Sequence, residues 1–474
     1  VKQQRHIYII LGSASIFILL ISVLAASALF RPHLQAHAHS AAARMQISVL
    51  PMHPMYKMAV TMKSGKGALS CLNQRTRPLC YTPQQIRQAY GVTPLLKAGI
   101  TGKGRIITII DAFQSPTVRQ DLHLFDTLFG LNDPQLNIIA PFGVTPFNPK
   151  DPVQTAFAGE IALDVEWAHA IAPDATINLL LGNVKGGTIQ DQLQALLQAT
   201  GYAVKHNMGS VISQSFGAGE SCLSRNFIQA EHQVFQQARA QQQSVFASVG
   251  DSGAAALQCD KQGQVVTLAQ GVNYPASDPL VTGVGGTTLS LARSGAYLKE
   301  TVWNESENGA GATGGGVSQI FKLPAYQQQI VNQNGRGISD IALDADPLTG
   351  VPVVTSSLEP GKTMLIPIGG TSLGAPVAAA MTALFDQASG GRLGFLNSAL
   401  YRLGQNAASK QAFHDITAGN NTFAFQDGNG NIVTVDGFPA AQGWDAPTGL
   451  GTPNAEQLAT LLPKFVQAND GADL

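Results

Sequence analysis

Charge is scarce in this chain. Lys, Arg, Asp and Glu make up 12% of 474 residues, and the two signs nearly cancel to a formal net charge of −1. A nucleic-acid binder needs a basic stripe to meet phosphates, so no nucleic-acid partner is expected. The polar surface must rely on Gln, Asn, Ser and Thr, and such a surface changes less on acidification than a carboxylate-rich one. Cysteine is also sparse, with Cys71, Cys80, Cys222 and Cys259. Their spacing has no zinc-site form, and their even number suits disulfides formed in an oxidising compartment. The preferred pairing is Cys71–Cys80 and Cys222–Cys259, the first closing a short loop worth about 2–3 kcal/mol in the chain-entropy model.

Charge is missing altogether from Ile7 to Phe30, a run long enough to span a bilayer, with Lys2 and Arg5 on its amino side. Ala26-Ser27-Ala28 and Ala36-His37-Ala38 both have the small-x-small form of a cleavage site, so a removed signal peptide and a retained anchor stand equal. Either places the remainder outside the cytoplasm, extracellular or anchored through residues 7–30 and facing outside. The organisation expected is a signal or anchor over 1–30, a linker over 31–78, a catalytic domain over 79–465 and a tail over 466–474. The linker, rich in Ala, His, Met and Ser, has no sustained periodicity and no room for a domain.

What the chain does have is a nucleophile platform. In Ile368-Gly369-Gly370-Thr371-Ser372-Leu373-Gly374-Ala375-Pro376, a glycine turn delivers a hydroxyl into the first turn of an apolar helix. There the free N–H groups and the positive dipole end can stabilise a developing oxyanion. The plainer reading is Ser372 as an ordinary N-cap. Ala158-Gly159-Glu160-Ile161-Ala162-Leu163-Asp164 supplies two acids four residues apart, which share one face of a helix. Without a cation between them they repel, raising the pKa of one. Their neighbours are apolar almost all round, so the helix should be buried, and buried paired carboxylates usually have a purpose. A third acid, Asp251, follows the apolar strand Val245–Val249 in a Gly-Asp-Ser-Gly turn, the position from which acids in an α/β sheet point into the ligand crevice.

Runs at 105–111, 176–181, 210–215 and 244–249 read as buried strands, separated by helical runs at 116–129, 188–206 and 227–243. This alternation argues an α/β fold with a parallel sheet. Thr82, Pro83 and Gly91 mark a short helix by cap, first-turn proline and terminator.

Gly-Glu-x-x-x-Asp, Gly-Asp-Ser-Gly and Gly-Thr-Ser-x-x-x-Pro, in this order, resemble the serine-carboxyl peptidases of the sedolisin family, over about residues 81–465. The resemblance implies a subtilisin-like parallel seven-stranded sheet flanked by helices. It implies Ser372 as nucleophile, Glu160 as general base, Asp164 as the partner sharing its proton, and Asp251 as oxyanion donor. Subtilisins place a His-Gly-Thr-His helix where this chain has Gly159-Glu160, and no His-Gly-Thr occurs here. Asp111 ends a strand of the kind that carries the subtilisin triad Asp; it is expected to be a decoy or a supporting residue, and His169 a packing residue. Ser213-Gln214-Ser215-Phe216-Gly217 is equally a core strand or the edge that pairs with substrate. The family usually carries a large N-terminal propeptide, for which the linker leaves no room.

Two loops compete for calcium. Asp427-Gly428-Asn429-Gly430-Asn431 mimics an EF-hand, but Ile432 stands where glycine is required and Phe438 where the bidentate Glu belongs, so it reads as a hairpin turn. Asp415 and Asp445 suit a hard cation better. Carried over from the family, one structural Ca2+ would take Asp415, Asp445 and the carbonyls of Ile416, Ala441 and Gly443. The expectation is an acid-acting peptidase, monomeric, with peptide or protein substrates. The rivals are a catalytically silent peptide-binding module on the same fold and a neutral subtilisin-like protease, the latter disfavoured by the missing His.

Overall fold

The computed structural model describes residues 57–58, 80–292, 294–359, 361–406, 411–427 and 429–466. The hydrophobic run at 7–30 and the tail after 466 lie outside them, as does the linker apart from Lys57–Met58. Among the described residues no helix is long and apolar enough to cross a membrane.

The centre is an eight-stranded sheet built from β1 (Ile106–Ala112), β2 (Leu136–Ile139), β3 (Thr176–Gly182), β4 (Val211–Gln214), β5 (Ser244–Ser248), β6 (Thr282–Leu291), β7 (Tyr297–Val302) and β8 (Ile341–Asp344). Its order is β7-β6-β5-β4-β1-β3-β2, with β8 also on β6. Seven strands run parallel, and β7 returns antiparallel along β6. The expected seven parallel strands are therefore present with an eighth added. Val302 follows Leu291 by too few residues for a crossover helix, so this return can only be antiparallel.

The flanking helices are α1 (Pro83–Ala89), α2 (Val92–Lys97), α3 (Val118–Phe129), α4 (Pro152–Ile171), α5 (Ile189–Lys205), α6 (Arg225–Ala240), α7 (Thr371–Ala388), α8 (Asn397–Gln405) and α9 (Ala455–Val466). Each predicted helix is found within a few residues of its expected bounds. α1 has the anticipated Thr82 cap, which Gln85 completes into a capping box, and Gly91 takes a left-handed φ of 69°.

Strand alternation divides the interior. Ile107, Ile109 and Val211 belong to the core that contains α4 and α7, while Ile110, Ala112 and Ile212 belong to the core under α5 and α6. Because side chains alternate with period two, Asp111 and Ser215 fall on the α4–α7 side. α4 and α7 pack directly against each other, and α7 also lies across β4 and β5. Both helices are apolar nearly all round, which suits burial on every side. This arrangement brings residues more than two hundred positions apart in sequence to one place.

Candidate active site

α4 begins at Asp151, whose Oδ1 accepts from Val153 N at 2.9 Å and Gln154 N at 3.4 Å, with Pro152 in the first helical position. From Phe157 to Ile171 every residue is buried, so Glu160 and Asp164 sit one turn apart with no solvent at either. Burial is the main force pushing the Glu160 carboxyl well above its usual range. The charges of Asp164, Asp111 and Asp251 push the same way, and the Ser372 hydroxyl opposes them. Asp164 is also raised by burial, opposed by the hydrogen bond from Ser215 and by the neighbouring Glu160 carboxyl. Two acids so close and so buried titrate as a pair rather than singly.

Ser372 arrives through the predicted glycine turn. A Cβ at Gly369 would lie 2.4 Å from the Ala345 carbonyl, and Gly370, at φ 102°, caps α7. Ser372 is thus the second residue of the helix and not its cap. Its Oγ donates to the Ser215 carbonyl at 3.5 Å, and neither Glu160 oxygen has a hydrogen-bond partner among the described residues. The hydroxyl stands beside Glu160, as its effect on that carboxyl shows, but points to the main chain of β4's extension. Ser372 is fully buried.

Asp251 lies beyond β5, after Gly250 at φ 112°. A Cβ at Gly314 would lie 2.4 Å from the Val249 carbonyl, so the backbones meet here without room for a side chain. Asp251 is 3% exposed. Its Oδ1 accepts from both the main-chain N–H and the hydroxyl of Thr371 at 2.9 Å, which ties it to the residue preceding Ser372.

The structure thus brings Ser372, Glu160, Asp164 and Asp251 together. It also gives contacts in the cluster to three residues that the sequence analysis named without these contacts. Thr371 orients Asp251. Ser215 donates to Asp164 Oδ2 at 2.7 Å. Asp111 is no isolated decoy: it is fully buried, neither carboxyl oxygen has a hydrogen-bond partner among the described residues, and burial with the charge of Asp164 holds its pKa well up. Period-two alternation from Ile107 and Ile109 is the sequence signal that could have placed it. His169 is a buried packing residue, with Nε2 3.2 Å from Asp126 Oδ1. The Ser372 hydroxyl has no histidine partner among the described residues.

The second candidate centre is the loop pair near the C-terminus. Both Asp415 oxygens accept from Gly443 N at 3.1 Å. Asp445 accepts from Ala441 N at 3.1 Å and from Thr448 N and Oγ1 at 2.8 Å. Burial pushes Asp445 up to about 6, and the Asp415 charge adds to the effect. Two carboxylates are gathered here, and among the described residues no third His, Cys, Asp or Glu joins them in a metal-binding group. A cation would complete its shell from main-chain carbonyls, as hard divalent ions do. The competing Asp427 loop is a hairpin turn: Asp427 Oδ1 accepts from Asn429 N and Asn431 N, between the paired strands Phe423–Gln426 and Ile432–Val435.

Cys222 and Cys259 form the expected disulfide. Cys80 is also disulfide-bonded, and its expected partner Cys71 lies outside the described residues.

A parallel α/β sheet with a serine at a helix start and acids at the strand ends defines a hydrolase of subtilisin-like architecture. The chain belongs to the subtilase family, whose model matches residues 155–431, and within it to the sedolisin-type serine peptidases. It is 35% identical to kumamolisin of Bacillus sp. (strain MN-32) over 416 residues, 86% of this chain and 68% of that protein. It is 35% identical to sedolisin of Pseudomonas sp. (strain 101) over 272 residues, 56% of this chain and 43% of that one. The solved structure of Pseudomonas sedolisin, a serine-carboxyl proteinase complexed with two molecules of pseudo-iodotyrostatin, matches with a TM-score of 0.66 and 29% identity, covering 82% of this chain and 98% of the other.

Proposed function

We propose that this protein hydrolyses peptide bonds through a Ser-Glu-Asp triad and works in acid. The observation that carries this reading is the convergence of Ser372, Glu160, Asp164 and Asp251 in one buried cluster assembled from α4, α7 and the end of β5. Ser372 Oγ attacks the scissile carbonyl carbon and its proton passes to Glu160. Asp164 shares its proton with Glu160 and keeps that carboxyl oriented. The carbonyl oxygen becomes an oxyanion, and a protonated Asp251 donates to it. When the amine leaves, Glu160 returns the proton to its nitrogen.

The Asp415–Asp445 loop would hold one structural Ca2+, using those carboxylates and the carbonyls of Ile416, Ala441 and Gly443. Its contribution is to cross-link two loops and offset their repulsion, remote from the reacting atoms. The Cys222–Cys259 disulfide supports a setting outside the cytoplasm.

Ser372→Ala tests the reading. Peptide hydrolysis should be abolished with the fold retained, and a serine-directed acylating reagent should label the parent at Ser372. Comparable turnover by the variant sinks the nucleophile assignment. An unlabelled, inactive but folded parent would favour a silent peptide-binding module.

A further inference from the structure

Ser215 touches both halves of this site, yet the four-group mechanism leaves it without a role. It extends β4 by one residue, and the alternation that buries Val211 on the α4 side turns Ser215 the same way. Its hydroxyl is 2.7 Å from Asp164 Oδ2, the usual length of a good O–H···O bond. A second acceptor, the main-chain carbonyl of Ser372, is 3.3 Å away. That carbonyl is open because the residue four positions on is Pro376, which has no N–H to close the helical bond. In return, the Ser215 carbonyl takes the Ser372 hydroxyl. Ser215 is fully buried, so no bulk water can replace its hydroxyl.

Asp164 Oδ1, by contrast, has no hydrogen-bond partner among the described residues. Glu160 lies one helical turn away on the same face of α4, its two oxygens likewise without a partner among the described residues, and Asp164 Oδ2 is already committed to Ser215. Besides the Ser372 hydroxyl, the groups facing this pair among the described residues are the acids Asp111 from β1 and Asp251 from beyond β5.

We propose that Ser215 is a positioning residue of the proton relay: by donating to Asp164 Oδ2, it reserves Oδ1 as the atom through which Asp164 and Glu160 share their proton. This inference rests on the peptidase reading above. As the Ser372 Oγ–carbon bond forms, the π pair moves onto the carbonyl oxygen and the Oγ proton passes to Glu160, while Asp164 keeps its own proton on Oδ1. Ser215 neither gains nor loses a proton. Without its hydroxyl, the buried Asp164 carboxyl can turn, and its proton is no longer held toward Glu160.

The test is Ser215→Ala in the full chain, alone and combined with Asp164→Ala. Turnover of a peptide substrate in acid is measured beside the rate at which a serine-directed reagent acylates Ser372. That rate is read by intact mass, so it stays measurable when turnover is slow. Alone, Ser215→Ala should lower kcat and the acylation rate by about 10–100-fold with KM within about threefold, and in the Asp164→Ala background it should cost no further rate. Should the Ala variant fail to fold, Ser215→Cys carries the test, because a thiol keeps the volume but donates weakly, and the same loss is expected. Rates within about twofold of the parent, or an equal fractional loss in both backgrounds, overturn the proposal. Ser372→Ala is run in parallel. If it stays active, the peptidase reading itself falls; if it is inactive while Ser215→Ala is unimpaired, only the present inference falls.

Discussion

Thr371 donates twice to one oxygen of Asp251, through its main-chain N–H and its hydroxyl, each at 2.9 Å from Oδ1. The same hydroxyl accepts from Gly250 N at 3.1 Å, so its hydrogen is committed to Asp251 and its lone pair to the turn. An oxygen that accepts twice is a poor place for a proton. A neutral Asp251 therefore carries its proton on Oδ2, and in the proposed mechanism Thr371 decides which oxygen of Asp251 donates to the oxyanion.

Thr371→Val keeps the shape of the side chain and removes the hydroxyl. The main-chain bond to Asp251 survives, so the carboxyl loses one of two restraints. We expect kcat to fall about tenfold, the size of one net hydrogen bond, with KM little changed. Thr371→Ser should restore most of the rate. Steady-state kinetics on the three proteins decide it, and a Val variant at parental kcat would mean that the hydroxyl does not orient Asp251.

Glu160→Gln separates catalysis from stability. The amide cannot accept the Ser372 proton, so the rate should drop by at least about a hundredfold. Stability should move the other way at neutral pH. Burial holds the folded-state pKa of Glu160 above its unfolded value, so the native state binds more protons and its stability falls as pH rises; a neutral amide escapes that fall. Urea midpoints at pH 4 and pH 7 provide the check, with the variant expected to lose less than the parent between them.

The acid pair was legible in the sequence because helix periodicity and an apolar surround are local signals: Glu160 and Asp164 had to share a buried face. Ser372 and Asp251 were legible as turns of recognisable form. Their supports were not, since Thr371 meets Asp251 across 120 residues and Ser215 meets Asp164 across 51, and only the packing of α7 and α4 against the ends of β5 and β4 makes them neighbours. Asp111 is the instructive case. Its strand was correctly read, but its face was not followed, and counting by twos from Ile107 carries it to the side where Asp164 lies. The extra strand β7 escaped because the pattern of alternating strands and helices predicts only parallel neighbours.

The proposed calcium loop should show its pH dependence through Asp445. Its folded-state pKa is pushed up to about 6, above the ordinary Asp value of about 4. Without a cation, ionising it costs stability as pH rises from the unfolded to the folded value. A bound divalent cation removes that cost and adds linkage stabilisation of its own. Exhaustively dialysed protein and calcium-saturated protein should therefore melt together near pH 4 and diverge as pH rises through 6. A gap in Tm that is absent at every pH would leave the loop without a metal.

Glu160, Asp164 and Asp111 are all driven upward by burial, with Asp164 adding to the shifts of the other two. The proposed mechanism requires one ionised group, Glu160, beside a proton held with Asp164 and another on Asp251. Below the working range the pair holds one proton too many, and above it one too few, so kcat/KM should trace a bell whose limbs belong to the coupled groups. The fold obeys the same sign: raised carboxyl pKa values mean that stability is fully present in acid and is lost as pH rises through them. Activity and stability should thus fail together on the alkaline side. Asp111→Asn distinguishes their causes. If Asp111 only adds a buried charge beside Asp164, the variant should keep activity within about tenfold and lose less stability between pH 4 and 7, because one costly ionisation has been removed. The measurement pairs a pH–rate profile with urea midpoints on calcium-saturated protein. A variant as inactive as Ser372→Ala would place Asp111 within the proton-transfer chemistry, and a parent whose activity holds level through pH 8 would remove Asp251 as oxyanion donor.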